Sequence, residues 1–362
     1  MRRCFFILFF VAFSFLFFGC GKESQNAEPA KPLEQAVNEV IKADEEGLLI
    51  LDKETLLGKD LILGAEIRDV TSSPPLNGIG GLIMEFLGTT LIRFEEDKDA
   101  LLMMKSPYIP WKHLEREHPF ELARLTIKSV KDNKIALDAD EFGKLLTARA
   151  TKESGVSFSF SKVETREISI DAHHIVIPLD VTLSSGNKTI FVRFVVHLKK
   201  WEPKETLKRT IDKDFGYFTL FEWFKWGAWE EVDPYKIRAK RLPEDPILAW
   251  DVENLTSPIE YIITDSVPET YRPLFKEAIE SWNLSFRKAG YEKDVVTARV
   301  QRKDEKLVIG DPRIHLVYWE NDLFRGISGA HASFQVDPIT GEMYHGDVYF
   351  GGERLVRNLK KA

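Results

Sequence analysis

Histidine is the side chain best suited to bind a metal or move a proton near neutral pH. The chain has eight: His113, His118, His173, His174, His197, His315, His331 and His345. Zinc hydrolysis from a single helix needs H-E-x-x-H, in which two imidazoles at i and i+4 share one face and the Glu is the base for zinc-bound water. None of the eight histidines is followed by Glu, so this motif does not occur. The nearest imitation, His113-Leu114-Glu115-Arg116-Glu117-His118, has a spacing of five. On a helix that turns the second ring by about 500°, which leaves it about 140° from the first; the segment reads as a surface helix. His173 and His174 adjoin on an expected strand and point to opposite faces. His331 and His345 flank an expected hairpin and can approach across it, but without a third ligand or a Glu base they make only an adventitious site. Both cysteines, Cys4 and Cys20, lie in the first twenty residues, which excludes a disulfide framework, a Cys zinc finger and a cysteine nucleophile in the body. No nucleophile elbow and no phosphate-cradling Gly loop offers other chemistry.

The first twenty residues read as an address. Arg2 and Arg3 precede an apolar run at 5–18, broken only by Ser14. As a helix it is about 21 Å long, short of a hydrocarbon core of about 30 Å, so it reads as a secretory h-region. Phe18-Gly19-Cys20-Gly21 resembles the lipobox of bacterial lipoproteins, which implies a lipid on Cys20. Gly21 in place of Asp after that cysteine favours the outer membrane over the inner one. Residues 21–34 are polar and contain proline, as a flexible tether would.

Charge narrows the partners. Lys and Arg total 50 against 57 Asp and Glu, a balance of −7, and losing Arg2 and Arg3 with the leader leaves 48 against 57. An acidic chain with no dense basic tract excludes nucleic acid as a partner.

The elements that must position any site are mostly strands. Runs at 48–52, 60–67, 82–88, 90–97 and 100–105 are punctuated by Gly, Asn, Asp and Pro. Further strands are expected at 126–130, 134–138, 157–160, 167–170, 175–183 and 189–198, with a helix at 141–153 and a hairpin at Ser184-Ser185-Gly186-Asn187. Residues 215–229 hold eight aromatics, read as a packed seam, with a glycan or peptide platform or a membrane-surface patch as alternatives. After Pro258 a strand at 259–263 leads to a helix at 271–289, where Phe275, Ile279, Trp282 and Phe286 line one face. Strands at 295–300 and 314–319 follow, and Asp337-Pro338-Ile339-Thr340-Gly341 joins two more.

Several of these segments together resemble a family of secreted bacterial zinc-dependent metalloproteases of metzincin type with long N-terminal domains. The resemblance rests on Val267-Pro268-Glu269-Thr270-Tyr271-Arg272-Pro273, Glu277-Ala278-Ile279-Glu280-Ser281-Trp282-Asn283, Asp311-Pro312-Arg313 and Val336-Asp337-Pro338-Ile339-Thr340-Gly341-Glu342. Upstream, Gly47-Leu48-Leu49-Ile50-Leu51-Asp52 and Asp214-Phe215-Gly216-Tyr217-Phe218 are similar to its N-terminal regions.

The resemblance implies an α+β chain. A signal peptide would occupy 1–19 and a lipid anchor and tether 20–44. A small β-rich domain would span 45–106, and a second, with the aromatic seam, 107–242. Residues 258–362 would be the first part of an incomplete metzincin-like α/β protease domain that stops before the zinc helix. Complete members use zinc to hydrolyse peptides; without H-E-x-x-H this chain is expected to bind none stoichiometrically and to be inactive alone. The resemblance also implies a peptide or protein substrate lying along an edge strand at 328–336, against Gly329, Ala330, His331, Ala332 and Ser333. A reading from a different class is a non-enzymatic envelope lipoprotein that binds a protein or glycan through its β domains.

Overall fold

The computed structural model describes residues 39–41, 48–73, 86–106, 121–154, 157–203, 247–320 and 330–352. Cys20, the 113–118 segment, the aromatic run at 215–229 and Gly329 lie outside the described residues. Among the described residues no helix is long and apolar enough to cross a membrane.

The first half forms one antiparallel sheet. Its first strands are β1 (Glu39–Ile41), β2 (Leu48–Asp52), β3 (Asp60–Ser73), β4 (Phe86–Asp97), β5 (Ala100–Lys105), β6 (Glu121–Lys131) and β7 (Lys134–Asp138). β8 (Ser159–Thr165), β9 (Ile168–Ile170), β10 (His174–Ser185) and β11 (Lys188–Lys200) complete it. Two helices accompany them, α1 (Lys53–Leu56) and α2 (Ala139–Ser154). The strand order is β1-β9-β10-β11-β3-β4-β5-β6-β7-β2, with β8 also paired to β10. The segments 45–106 and 107–242 therefore contribute strands to the same sheet, because β5 pairs with β6 and β11 with β3.

Turn chemistry fixes the hairpins. Asp132 and Asn133 both take positive φ between β6 and β7, as a primed two-residue turn requires, and Gly186 does so between β10 and β11. Period-two alternation then sorts the side chains. Leu61, Leu63, Ala65 and Ile67 of β3 join Ile92, Phe94, Val192, Phe194 and Val196 in one buried core. Lys105 is fully buried on the same side of β5 as Leu101 and Met103, and burial draws its ammonium down to about 7. The alternate residue Ile62 packs instead with Leu91 and Trp201, against Ile339 and Tyr344 of the second half.

That second half is a six-stranded sheet. β12 (Ala249–Trp250), β13 (Ile259–Ile263), β14 (Val296–Val300), β15 (His315–Glu320) and β17 (Glu342–Gly351) run parallel in the order β12-β17-β15-β13-β14. β16 (Ala330–Val336) lies antiparallel on β17. The helix expected at 271–289 is two helices, α3 (Arg272–Glu280) and α4 (Trp282–Lys288). At the break the Ser281 hydroxyl bonds the Ala278 carbonyl at 2.7 Å, the kind of local bond by which serine competes with the helix ladder. Phe275, Ile279 and Phe286 bury against Val296, Ala298, Val317 and Phe350.

These findings correct the expected α+β fold with its metzincin-like α/β protease domain. Strand accounts for 55 % of the described residues and helix for 15 %, and the larger sheet is a nearly closed, barrel-like antiparallel array. The molecule is mostly β, and one strand–helix–strand crossover, β13 to β14 through α3 and α4, does not make an α/β domain. The motifs behind the resemblance do local work that many β proteins need. Asp337 Oδ1 accepts from the amides of Ile339 and Thr340 at 2.8 and 3.1 Å, and Gly341 takes φ 74°, so Asp337-Pro338-Ile339-Thr340-Gly341 is a self-bonded hairpin turn. Arg313 of Asp311-Pro312-Arg313 spans to the first sheet, donating to Asp171 at 3.1 Å and to the Ser169 hydroxyl at 2.9 Å.

Candidate functional site

The outward face of β3 meets β16 and β17 along a seam that is polar and buried. Glu66 follows Ile62 and Gly64 on that face, and His197 of β11 stands opposite Gly64. A Cβ on Gly64 would fall 2.1 Å from His197 Cε1, so glycine is what lets the imidazole lie across the strand. His197 Nε2 is 3.0 Å from the Tyr344 hydroxyl, Thr89 donates to the Val336 carbonyl at 2.9 Å, and Trp201 Nε1 donates to Asp337 at 3.0 Å. Each bond joins one sheet to the other.

Glu66, Gln335, His345 and Asp347 lie at the centre of this seam, each with no solvent exposure. Gln335 and His345 are opposite each other in the β16–β17 register, and Ser333 is opposite Asp347. His345 Nε2 lies 3.7 Å from Glu66 Oε1 and 3.5 Å from Asp347 Oδ2, and the Gln335 amide nitrogen donates to Glu66 Oε1. Asp347 is held from two sides: Oδ1 accepts the Leu316 amide at 2.7 Å and Oδ2 the Tyr349 hydroxyl at 3.0 Å. His315 stacks on His345 with ring centroids 5.7 Å apart and accepts the Gly346 amide at 3.2 Å. Burial sets the charge states. It pushes the Glu66 carboxyl up to about 8, with His345 and the Gln335 bond opposing and Asp347 reinforcing. It drives His315 down to about 3, helped by His345 and opposed by Asp347. The Tyr261 phenol is raised by burial and then by Asp347. One imidazole and two carboxylates within 4.8 Å of one another form a set that can hold a proton or a cation. All of its members are buried among the described residues.

The edges of the second sheet form the other candidate, and they differ. At β14, Asn283 donates to the Val296 carbonyl at 2.8 Å and accepts from the amides of Val295 and Val296 at 2.9 and 3.1 Å. Lys276 bonds the Ala298 carbonyl at 2.6 Å and Glu280 accepts its amide at 3.3 Å. Side chains from α3 and α4 therefore cover that edge. β16 pairs with β17 alone among the described strands, and no described side chain bonds the backbone of Ala330 or Ala332.

Of the segment expected at 328–336, Ala330–Val336 is a strand whose one partner among the described strands is β17. Ala330 and Ala332 are half-buried, while Ser333 is buried and its hydroxyl has no hydrogen bond among the described residues. The expected approach of His331 to His345 is corrected by the register. His331 is opposite Tyr349 and His345 opposite Gln335, which separates them by four residues along the strands, about 13 Å. His173 is exposed, and His174 lies 3.3 Å from Asp171. Sequence reading missed Glu66, Gln335 and Asp347. The available signal was an acidic residue inside each of two apolar strand runs, at 60–67 and 342–351.

Comparison with protein families, with characterised proteins and with solved structures found no match.

Proposed function

We propose that this chain is an exported, lipid-tethered protein of the cell envelope that holds an extended segment of a peptide or protein partner against β16. Cys20 carries the tether in this reading, and the binding is not coupled to peptide hydrolysis. The observation that supports it is the contrast between the two edges of one sheet. Helix side chains cover β14, whereas among the described strands β16 pairs with β17 alone, and no described side chain bonds the backbone of Ala330 or Ala332. An extended segment adds to such an edge as a further strand, with main-chain hydrogen bonds supplying affinity. The small side chains of Ala330 and Ala332 leave room for another backbone to approach.

The test uses the chain from residue 20 onward and a decapeptide selected from a displayed random library. Hydrogen exchange should show bound peptide protecting amides of 330–334 and not those of 296–300. Ala330→Pro alters the first position of the strand, where proline is tolerated. Loss of one backbone bond there should weaken binding about tenfold, equivalent to ~1.4 kcal/mol. Peptide binding that protects other strands and ignores Ala330→Pro would defeat the reading.

A further inference from the structure

We propose that Glu66, His345 and Asp347 form a structural zinc-class metal site that fastens the two sheets to each other, with the Gln335 carbonyl oxygen as fourth ligand. Geometry is the first support. Bonds of about 2.0–2.2 Å in a tetrahedral shell place neighbouring ligand atoms about 3.3–3.6 Å apart. His345 Nε2 stands 3.5 Å from Asp347 Oδ2 and 3.7 Å from Glu66 Oε1, and the ligand atoms of all three residues lie within 4.8 Å of one another. An imidazole beside two carboxylates suits a transition-series cation rather than calcium, which takes six to eight oxygens.

The second support is independent of the triad. Gln335 is completely buried, its amide nitrogen reaches Glu66, and its Oε1 has no hydrogen bond among the described residues. The two ends of an amide are exchanged by a half-turn of the side chain. That turn aims the carbonyl oxygen at the cluster and gives it a cation to bind.

The third support is the outer support of Asp347, whose oxygens are oriented by the Leu316 amide and the Tyr349 hydroxyl. Such bonds orient metal-binding carboxylates. The ligands come from β3, β16 and β17, so an ion here would cross-link the barrel-like sheet to the second one, and burial would make its exchange slow. This proposal replaces the expectation of no stoichiometric zinc, which weighed only ligands close together in sequence; Glu66 and Gln335 are 269 residues apart.

The experiment refolds tag-free chain from denaturant and chelator with or without Zn²⁺, removes loose ions by dialysis, and measures bound metal by mass spectrometry. One zinc per chain that resists dialysis against a weak chelator is expected, with X-ray absorption at the zinc edge showing a single imidazole among oxygen ligands. His345→Ala and Glu66→Gln should each reduce retained zinc at least tenfold, while His331→Ala should leave it unchanged. Should a buried variant fail to fold, the absorption spectrum of the unaltered chain still decides. A shell with two or more imidazoles, or no retained zinc in folded wild-type chain, would overturn the site; the latter would make the cluster a proton-sharing network.

Discussion

β3 and its neighbours have two faces that solve different problems. Along β3 the inner face is apolar, with Leu61, Leu63, Ala65 and Ile67 packed on Ile92, Phe94 and Phe194, although the same side of β5 also buries Lys105. The outer face carries Gly64, Glu66 and the partners His197, Trp201 and Thr89, each bonded to a particular group of the second sheet. Inside, volume and apolarity suffice, because dispersion and the hydrophobic effect are non-directional. Outside, identity matters, since a buried polar group without its partner costs about 1–3 kcal/mol. Away from Lys105, the inner face should therefore answer to side-chain size and the outer face to chemistry and pH.

The largest effect should come from the inner face. Phe94→Ala should lose about 3–5 kcal/mol in urea unfolding, through transfer and cavity terms alone. That loss should be the same at pH 5 and pH 8; a pH-dependent loss would erase the distinction between the faces.

Next comes a titration where the sheets meet. His174 sits beside Asp171, itself bound to Arg313, and opposite Lys199. Burial lowers its imidazole from 6.5 to about 4, with Asp171 opposing and Lys199 and Arg313 assisting. The folded state thus keeps His174 neutral while the unfolded chain takes up a proton. The stability it contributes is complete above pH 6.5 and is lost as pH falls toward 4, on the order of 3 kcal/mol in all. His174→Gln should flatten the fall in stability between pH 6.5 and 4.5. An unchanged slope would remove His174 from the account.

Gly64→Ala should cost about 1–3 kcal/mol, because its methyl group displaces His197 and overpacks the seam. A double variant with His197→Ala should recover much of that loss. The smallest effect is expected for Trp201→Phe, which removes the bond to Asp337 while keeping a six-membered aromatic ring: about 1 kcal/mol in unfolding experiments.

The strands were legible in the sequence because alternation and turn residues are local. Leu48–Asp52, Ala100–Lys105, Lys134–Asp138 and Ile259–Ile263 match the expected runs, and Gly186 and Gly341 stand at positive φ where turns were expected. The arrangement of those strands was not legible. Nothing local reveals that β3 sits between β11 and β4, so that segments expected as separate domains share a sheet. The seam was hidden for the same reason. Glu66 looks like a solvent-facing break in an apolar run, and only the packing of β16 and β17 on that face makes it a buried neighbour of His345. The helix at 271–289 was expected unbroken because periodicity reports which face is apolar and is silent about a serine that bonds its own backbone.

The covered edge of β14 also limits how copies of this protein can meet. A sheet with two open edges can grow head to tail, each copy offering one side and accepting another, and such contacts generate rings or open-ended fibres. Asn283, Lys276 and Glu280 occupy the backbone groups that one of those sides would need. Among the described strands that leaves a like-to-like contact, β16 against β16 across a two-fold axis. Such a contact closes on itself after two chains, so association through it would yield pairs and no extended assembly.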